Sequence, residues 1–310
     1  VSDQTGLVQR VLTRVVGRTR EIELVVAALA ADRHVLLEGP PGTGKSTLLR
    51  AVAHELGLGF EFVEGNAELT PARLVGHFDP ARVLSDGYDP DVFVDGALIT
   101  AMRDGSLLYV EEINRIPEET LNVLVTVMSE RELHVPRLGR VAASHGFRLV
   151  AAMNPFDAIG TARISSAIYD RVCRLSVDYQ DAPDEATIVR SALPAAAADD
   201  EWLASVVEVV RRTRSHPDVR IGSSVRGAID TVAVANSLAG LRGGNPQDPA
   251  VGLDAALVAL SGRMRLREGS NRSPESIVTE LWIEVFDTVD AASADGAGKA
   301  HAPTGASSGR

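Results

Sequence analysis

The sequence predicts an α/β module, a parallel five-stranded sheet flanked by helices, followed by an all-α lid domain. Three observations carry that expectation. Apolar runs of strand length alternate with helical patterns up to about residue 180. From Pro183 onward only helical periodicity continues. Between the first strand and its helix, the stretch "LLEGPPGTGKSTLLRAV" (residues 36 to 52) makes a glycine-rich turn. The expected division is an α/β domain over 1–180 and a helical lid over 181–290. The Ala/Gly/Ser-rich end "AASADGAGKAHAPTGASSGR" (291–310) has no core-forming face and reads as a disordered tail.

Taken in order, the predicted strands are His34–Glu38, Glu61–Val63, Leu107–Glu111, Arg148–Met153 and Arg174–Val177. Helices are predicted near 44–56, 96–103, 117–130 and 165–170, an alternation that favours right-handed βαβ crossovers. In the lid, helices are expected over 184–193, 199–214, 223–240, 250–266 and 274–291, some of them separated by Pro217, "GGNPQDP" and Pro274.

The turn after the first strand explains a bias in composition. The chain has 31 Lys+Arg, yet only Lys45 and Lys299 are lysines. Gly39-x-x-x-x-Gly44-Lys45-Ser46 has the spacing of a phosphate-binding loop, with a strand before it and a helix after it. Gly39, Gly42 and Gly44 let successive backbone N–H groups point inward and wrap a polyphosphate at a helix N-terminus. A compact ammonium reaches between phosphates as a point charge where a wider planar guanidinium would clash. Gly39, Pro40, Gly42, Thr43, Gly44, Lys45, Ser46 and Thr47 are therefore the candidate nucleotide-binding residues.

The third strand, in "LLYVEEINR", ends on two carboxylates at its C-terminal edge, where ligands of such sheets sit. The spacing makes Glu111 the group that holds Mg²⁺ opposite the Ser46 hydroxyl, and Glu112 the group that polarises the attacking water. Alone, such a pair would be an ordinary solvated strand end. Some 65 residues after a phosphate loop, it reads as catalytic.

Composition narrows the remaining classes. With 310 residues, 45% hydrophobic, the chain can build two cores, and one cysteine excludes a disulfide framework. Cys173 is expected to be a small buried apolar side chain. No apolar run approaches the roughly 20 residues of a membrane span, and "VSDQTGLVQRVLTRVV" lacks the pattern of a signal peptide. The expectation is a cytoplasmic protein without membrane insertion. A formal charge of -11 argues against a nonspecific duplex-DNA binder. His54-Glu55 lacks the second histidine of a zinc protease, no Gly-x-Ser-x-Gly turn occurs, and "SDGYDPDVFVDG" lacks Ca²⁺-loop spacing. Neither lysine sits in the Asn-Lys-x-Asp element of guanine readers.

Together, "GPPGTGKST", "EEINRIPEETLNVLVTVMSERE", "AAMNP", "AIYDRVCRL" and "SSVRGAID" resemble the AAA+ ATPases, and within them the MoxR branch with its helix-2 insert. The resemblance covers roughly residues 15 to 290 and places the insert between Thr70 and Gly96. It implies ATP and Mg²⁺ as cofactors, and a homo-oligomeric ring, a hexamer in this family, with each active site between two subunits. It also implies a protein client, matured or loaded with metal through a von Willebrand A domain partner. By the same resemblance Asn154 is sensor 1, Arg171 the arginine finger with Arg163 as its substitute, and Arg226 sensor 2. Simpler readings stand beside these: Asn154 as a turn former before Pro155, Arg171 as a surface partner of Asp170, Arg226 as one arginine among many. Val15, Val16 and Gly17 would meet adenine or simply pack. The family usually has Asp where this chain has Glu111, which puts the rate in doubt more than binding. The rival from another class is a DNA-acting motor, with Arg137, Arg140 and Arg148 of "HVPRLGRVAASHGFR" facing phosphates in a central pore. A small-molecule kinase would leave Asn154, Arg171 and Arg226 unexplained.

Overall fold

The computed structural model describes residues 2–155, 164–196 and 198–298, with side chains from 6 to 287 within those bounds. Residues divide into two compact units, Val1–Gln180 and Asp181–Arg310.

The first unit is built on the predicted parallel sheet. Its strands are β1 (His34–Glu38), β2 (Phe60–Glu64), β3 (Leu107–Glu111), β4 (Arg148–Met153) and β5 (Val172–Ser176), in spatial order β2-β3-β4-β1-β5. Every neighbouring pair is parallel. Alternate residues feed two cores. Leu36, Leu108, Val110, Leu149 and Ala151 pack under helices Ala97–Asp104 and Glu118–Glu130, which contribute Leu98, Met102, Leu121 and Leu124. Val35, Leu37, Leu107, Tyr109 and Val150 face the other way, toward helices Ser2–Leu12, Thr19–Ala30 and Lys45–Leu56. β1, β3 and β4, which are covered on both faces, read as nearly unbroken apolar runs, as buried parallel strands do.

Two of those helices are absent from the sequence expectation. Ile22, Val25, Val26 and Leu29 are buried at helical spacing, and that periodicity was the available signal. Cys173 also departs from its expected burial. β5 is the edge strand of the sheet, its outer face is largely uncovered, and the thiol is exposed.

The Thr70 to Gly96 segment folds as two short helices, Pro71–Val75 and Pro80–Asp86, around an antiparallel ribbon of Gly76–Phe78 with Phe93–Asp95. A second hairpin, Glu132–Val135 with Gly139–Ala142, precedes β4.

The second unit holds helices Ala182–Ala192, Asp200–Ser215, Val225–Arg242, Pro249–Leu260 and Pro274–Gly298 around a core that includes Trp202, Val206, Val232, Ala256 and Trp282. It is not purely helical. The helix expected to reach 266 stops at Leu260, and after the Ser261–Arg263 turn Arg265–Leu266 pairs antiparallel with Val219–Ile221. The last helix extends past the expected tail boundary at 291, and 299–310 lie outside the described residues.

Candidate nucleotide site

The loop between β1 and the helix Lys45–Leu56 has the backbone its sequence implies. Gly44 caps the helix at φ 79 with no side chain on the cap, so the N–H groups of the first turn stay open for an anion. Gly39 is required for a different reason: a Cβ there would lie 1.9 Å from the carbonyl oxygen of Val177. The Lys45 ammonium is buried and donates to the carbonyl oxygens of Gly39 (3.0 Å) and Pro40 (2.8 Å). Thr43 is buried too, its hydroxyl donating to the Pro40 oxygen at 3.0 Å. Thr47 is exposed on the first turn. Glu38, just before the loop, is a buried carboxylate that accepts from Tyr169 at 2.8 Å and pairs with Arg174.

β3 delivers the carboxylates to the same edge. The Ser46 hydroxyl donates to Glu111 Oε2 at 2.7 Å, so the two groups expected to share a metal converge. The same carboxylate oxygen accepts a short hydrogen bond from the Tyr109 phenol, which also lies 3.3 Å from Ser46 Oγ. Tyr109 and Glu111 are two residues apart and so project from one face of the strand. The longer Glu111 side chain is thus folded back along its own strand, which takes up the methylene that distinguishes it from Asp. Burial, and then the bond to Glu111, push the Tyr109 phenol up, keeping it a protonated donor. No motif pointed to Tyr109. Its signal was a phenol in an otherwise aliphatic buried strand.

The donors fit Mg²⁺, a hard cation that takes oxygen ligands and retains waters. Among the described residues no group of three or more His, Cys, Asp or Glu could hold a metal. Ser46 and Glu111 would therefore hold it together with nucleotide phosphates. Tyr109→Phe is expected to raise the Mg²⁺ concentration needed for ATP binding by about tenfold to a hundredfold, the weight of one hydrogen bond to a charged group. Titrating Mg²⁺ against a fluorescent ATP analogue reads this, and an unchanged midpoint would reduce Tyr109 to packing.

Glu112 stands at φ 51, a left-handed conformation uncommon for a side-chain-bearing residue, and begins the Ile113–Arg115 turn. Its Oε2 lies 3.1 Å from Arg115 Nε, both side chains partly exposed. Such a pair is worth under about 1 kcal/mol. Asn114, next to it, is buried with its Oδ1 lacking a hydrogen-bond partner in the described residues. Asn154 is half-buried just past the end of β4, between the β3 carboxylates and the loop after β1. Met153 is in register with Glu38, and its carbonyl accepts from the Gly39 N–H at 3.1 Å.

Arg171 is elsewhere. It precedes β5, whose Val172 pairs with His34 at the start of β1, so it lies at the opposite edge of the sheet from the phosphate loop, about 20 Å along the strands. No side chain spans that. Its Nη1 donates to the Ala167 carbonyl at 2.7 Å and its Nε to Ser129 Oγ. A cleft of about 440 Å³ opens beside it, lined by Arg33, His34, Ser129, Arg131 and Asp170. Burial, and then Arg131, hold His34 down at about 4, so it is neutral, and its Nδ1 accepts the Leu149 N–H at 2.8 Å. Arg226 is exposed in the first turn of Val225–Arg242, in the second unit. Arg163 lies outside the described residues. Val15 is buried in the core, while Val16 and Gly17 are half-buried.

Of the three arginines of the DNA-motor reading, Arg137 and Arg140 are exposed and Arg148 is not. Arg148 is buried in β4 and paired with Asp32. Arg140 pairs with Glu132 across its hairpin, and the Arg137 guanidinium stacks 3.6 Å from the Tyr88 ring centroid.

Comparison with known proteins bears on the fold of the first unit. Residues 34–172 match the model described as AAA domain, dynein-related subfamily. The chain is 33% identical over 166 residues to an uncharacterized protein of Staphylococcus epidermidis, covering 53% of this chain and 62% of that one. Against one from Staphylococcus aureus it is 34% identical over 152 residues, covering 48% and 57%. The match thus spans less than two thirds of either relative. Among solved structures, one from Cytophaga hutchinsonii assigned as an ATPase superposes with a TM-score of 0.52 at 19% identity, covering 90% of this chain and 93% of that one. The Thermotoga maritima RuvB Holliday junction branch migration motor gives 0.54 at 17% identity, covering 78% and 70%. At these identities the likeness is one of fold. Among the described residues no helix is long and apolar enough to cross a membrane.

Proposed function

We propose, on the premise that the chain has an AAA+ P-loop fold, that it is a Mg²⁺-dependent ATPase. The observation that carries the reading is the convergence of Lys45, Ser46 and Glu111 at one sheet edge, with Ser46 2.7 Å from the Glu111 carboxylate. Loop N–H groups hold the phosphates, and the Lys45 ammonium leaves the Gly39 and Pro40 carbonyls for the β- and γ-phosphate oxygens. Bound Mg²⁺ supplies neutralising charge on those oxygens. Glu112 accepts the proton of the attacking water and Asn154 orients that water, giving ADP and phosphate.

Arg171 cannot reach its own loop, which supports its acting on the nucleotide of a neighbouring copy in a homo-oligomeric ring, a hexamer by resemblance. By the same resemblance Arg226 is the sensor 2 arginine. The client is a protein, remodelled or matured as MoxR-type ATPases do, with a von Willebrand A domain partner as the finer form of the reading. A DNA-acting motor is the second reading, favoured by the fold shared with RuvB. The burial of Arg148 and the -11 charge weigh against it.

Lys45→Ala tests the nucleotide assignment directly. Losing a charge-assisted contact in a desolvated loop is expected to weaken ATP binding about ten- to a hundredfold by calorimetry. Wild-type affinity would remove Lys45, and with it the loop, from the site.

A further inference from the structure

Arg18 belongs to none of the motifs above, yet its guanidinium joins three segments of the first unit. Its backbone is left-handed at φ 68, a conformation that residues other than glycine keep only where the surroundings impose it. The side chain is 5% exposed. Nη1 meets Glu21 Oε1 at 3.1 Å, one turn along the helix that Arg18 begins. Nη2 donates to the carbonyl oxygen of Thr43 in the phosphate loop (3.0 Å), to that of Asp178 (2.5 Å) and to Gln180 Oε1 (3.3 Å). Gln180 in turn donates from Nε2 to the Val16 carbonyl at 2.9 Å, closing the circuit.

Residues 178–180 are the last of the first unit, immediately before Asp181 opens the second. They leave β5 alongside the phosphate loop: the Val177 N–H donates to the Glu38 carbonyl at 2.7 Å, and Val177 O is the atom that excludes a Cβ at Gly39. One Nη2 carries two hydrogens and faces three acceptors, so the acceptors compete. A shift of the Thr43 carbonyl on phosphate entry would redistribute those hydrogens toward Asp178 and Gln180. A planar, permanently charged fork spans such acceptors, and an ammonium on a flexible stem does not hold them in one arrangement.

We propose that Arg18 is a positioning residue that couples filling of the phosphate loop to the junction between the two units. The inference rests on the nucleotide reading given above. Hydrogen exchange on the full chain with and without saturating Mg·ADP tests it. In the wild type, ADP should slow exchange over 39–48 and over 177–181 together. In Arg18→Ala, protection of the loop should remain, with affinity reduced about tenfold or less, while protection at 177–181 is lost. Arg18→Lys keeps the charge and should also lose the junction effect, which a merely structural cation would retain. Should Arg18→Ala fail to fold, Arg18→Lys and Gln180→Ala decide: each should reduce ADP-dependent protection at 177–181 while the melting temperature stays near wild type. Wild-type protection at the junction in Arg18→Lys would overturn the proposal. So would a wild-type chain that binds ADP without protecting 177–181. A wild-type chain that binds no ADP removes the nucleotide reading itself, and the coupling with it.

Discussion

Glu112→Gln is expected to bind ATP with wild-type affinity and to hydrolyse it at least about a hundredfold more slowly, the usual weight of a general base. The amide fills the same space at the end of β3 and leaves the left-handed turn and the neighbouring Ser46–Glu111 contact intact. What it cannot do is accept the proton of the attacking water. Binding by calorimetry and turnover by phosphate release separate the two effects, and equal turnover would take Glu112 out of the chemistry. If the proposed client reading holds, a variant trapped with ATP should also retain its client. Recovery of a protein supports the client reading, and recovery of DNA supports the motor.

Arg171→Ala is expected to lose activity on the order of a thousandfold, as removal of an arginine finger does, while its own loop and carboxylates remain sound. If Arg171 acts in trans as proposed, a Glu112→Gln subunit fails at its own site and still offers Arg171 to its neighbour. Each pure protein should be nearly inactive. Mixed in one assembly, they create interfaces where an intact Glu112 faces an intact Arg171, so ATPase activity should exceed both parents and peak near equal mixing. Energy transfer between differently labelled chains first establishes that subunits exchange. With exchange shown, a mixture as inactive as its parents would count against Arg171 as the finger in trans. Repeating it with Arg163→Ala then asks whether that residue is the finger.

The sheet edge was legible because its signals are local. A strand, a glycine turn and Lys45-Ser46 lie within one short run, and Glu111 and Glu112 end the strand that carries them. The helix Thr19–Ala30 is equally legible from Ile22, Val25, Val26 and Leu29, whose spacing is helical. Cys173 was misplaced because the order of strands, which puts β5 at the edge, is not written in β5 itself.

By itself the sequence determined the phosphate loop, the paired carboxylates and the alternation that makes a parallel sheet, since each follows from spacing along a few neighbouring residues. Only the tertiary structure decided which distant groups meet. It folded Glu111 back onto Tyr109 beneath Ser46, set Arg171 at the far edge from its own loop, drew Arg148 into the sheet, and brought Arg18 to Thr43, Asp178 and Gln180. The physical reason is that such contacts span up to 162 residues of chain. Their geometry is fixed by strand order and the burial of two cores, which cooperative packing settles, and local propensity carries no record of it.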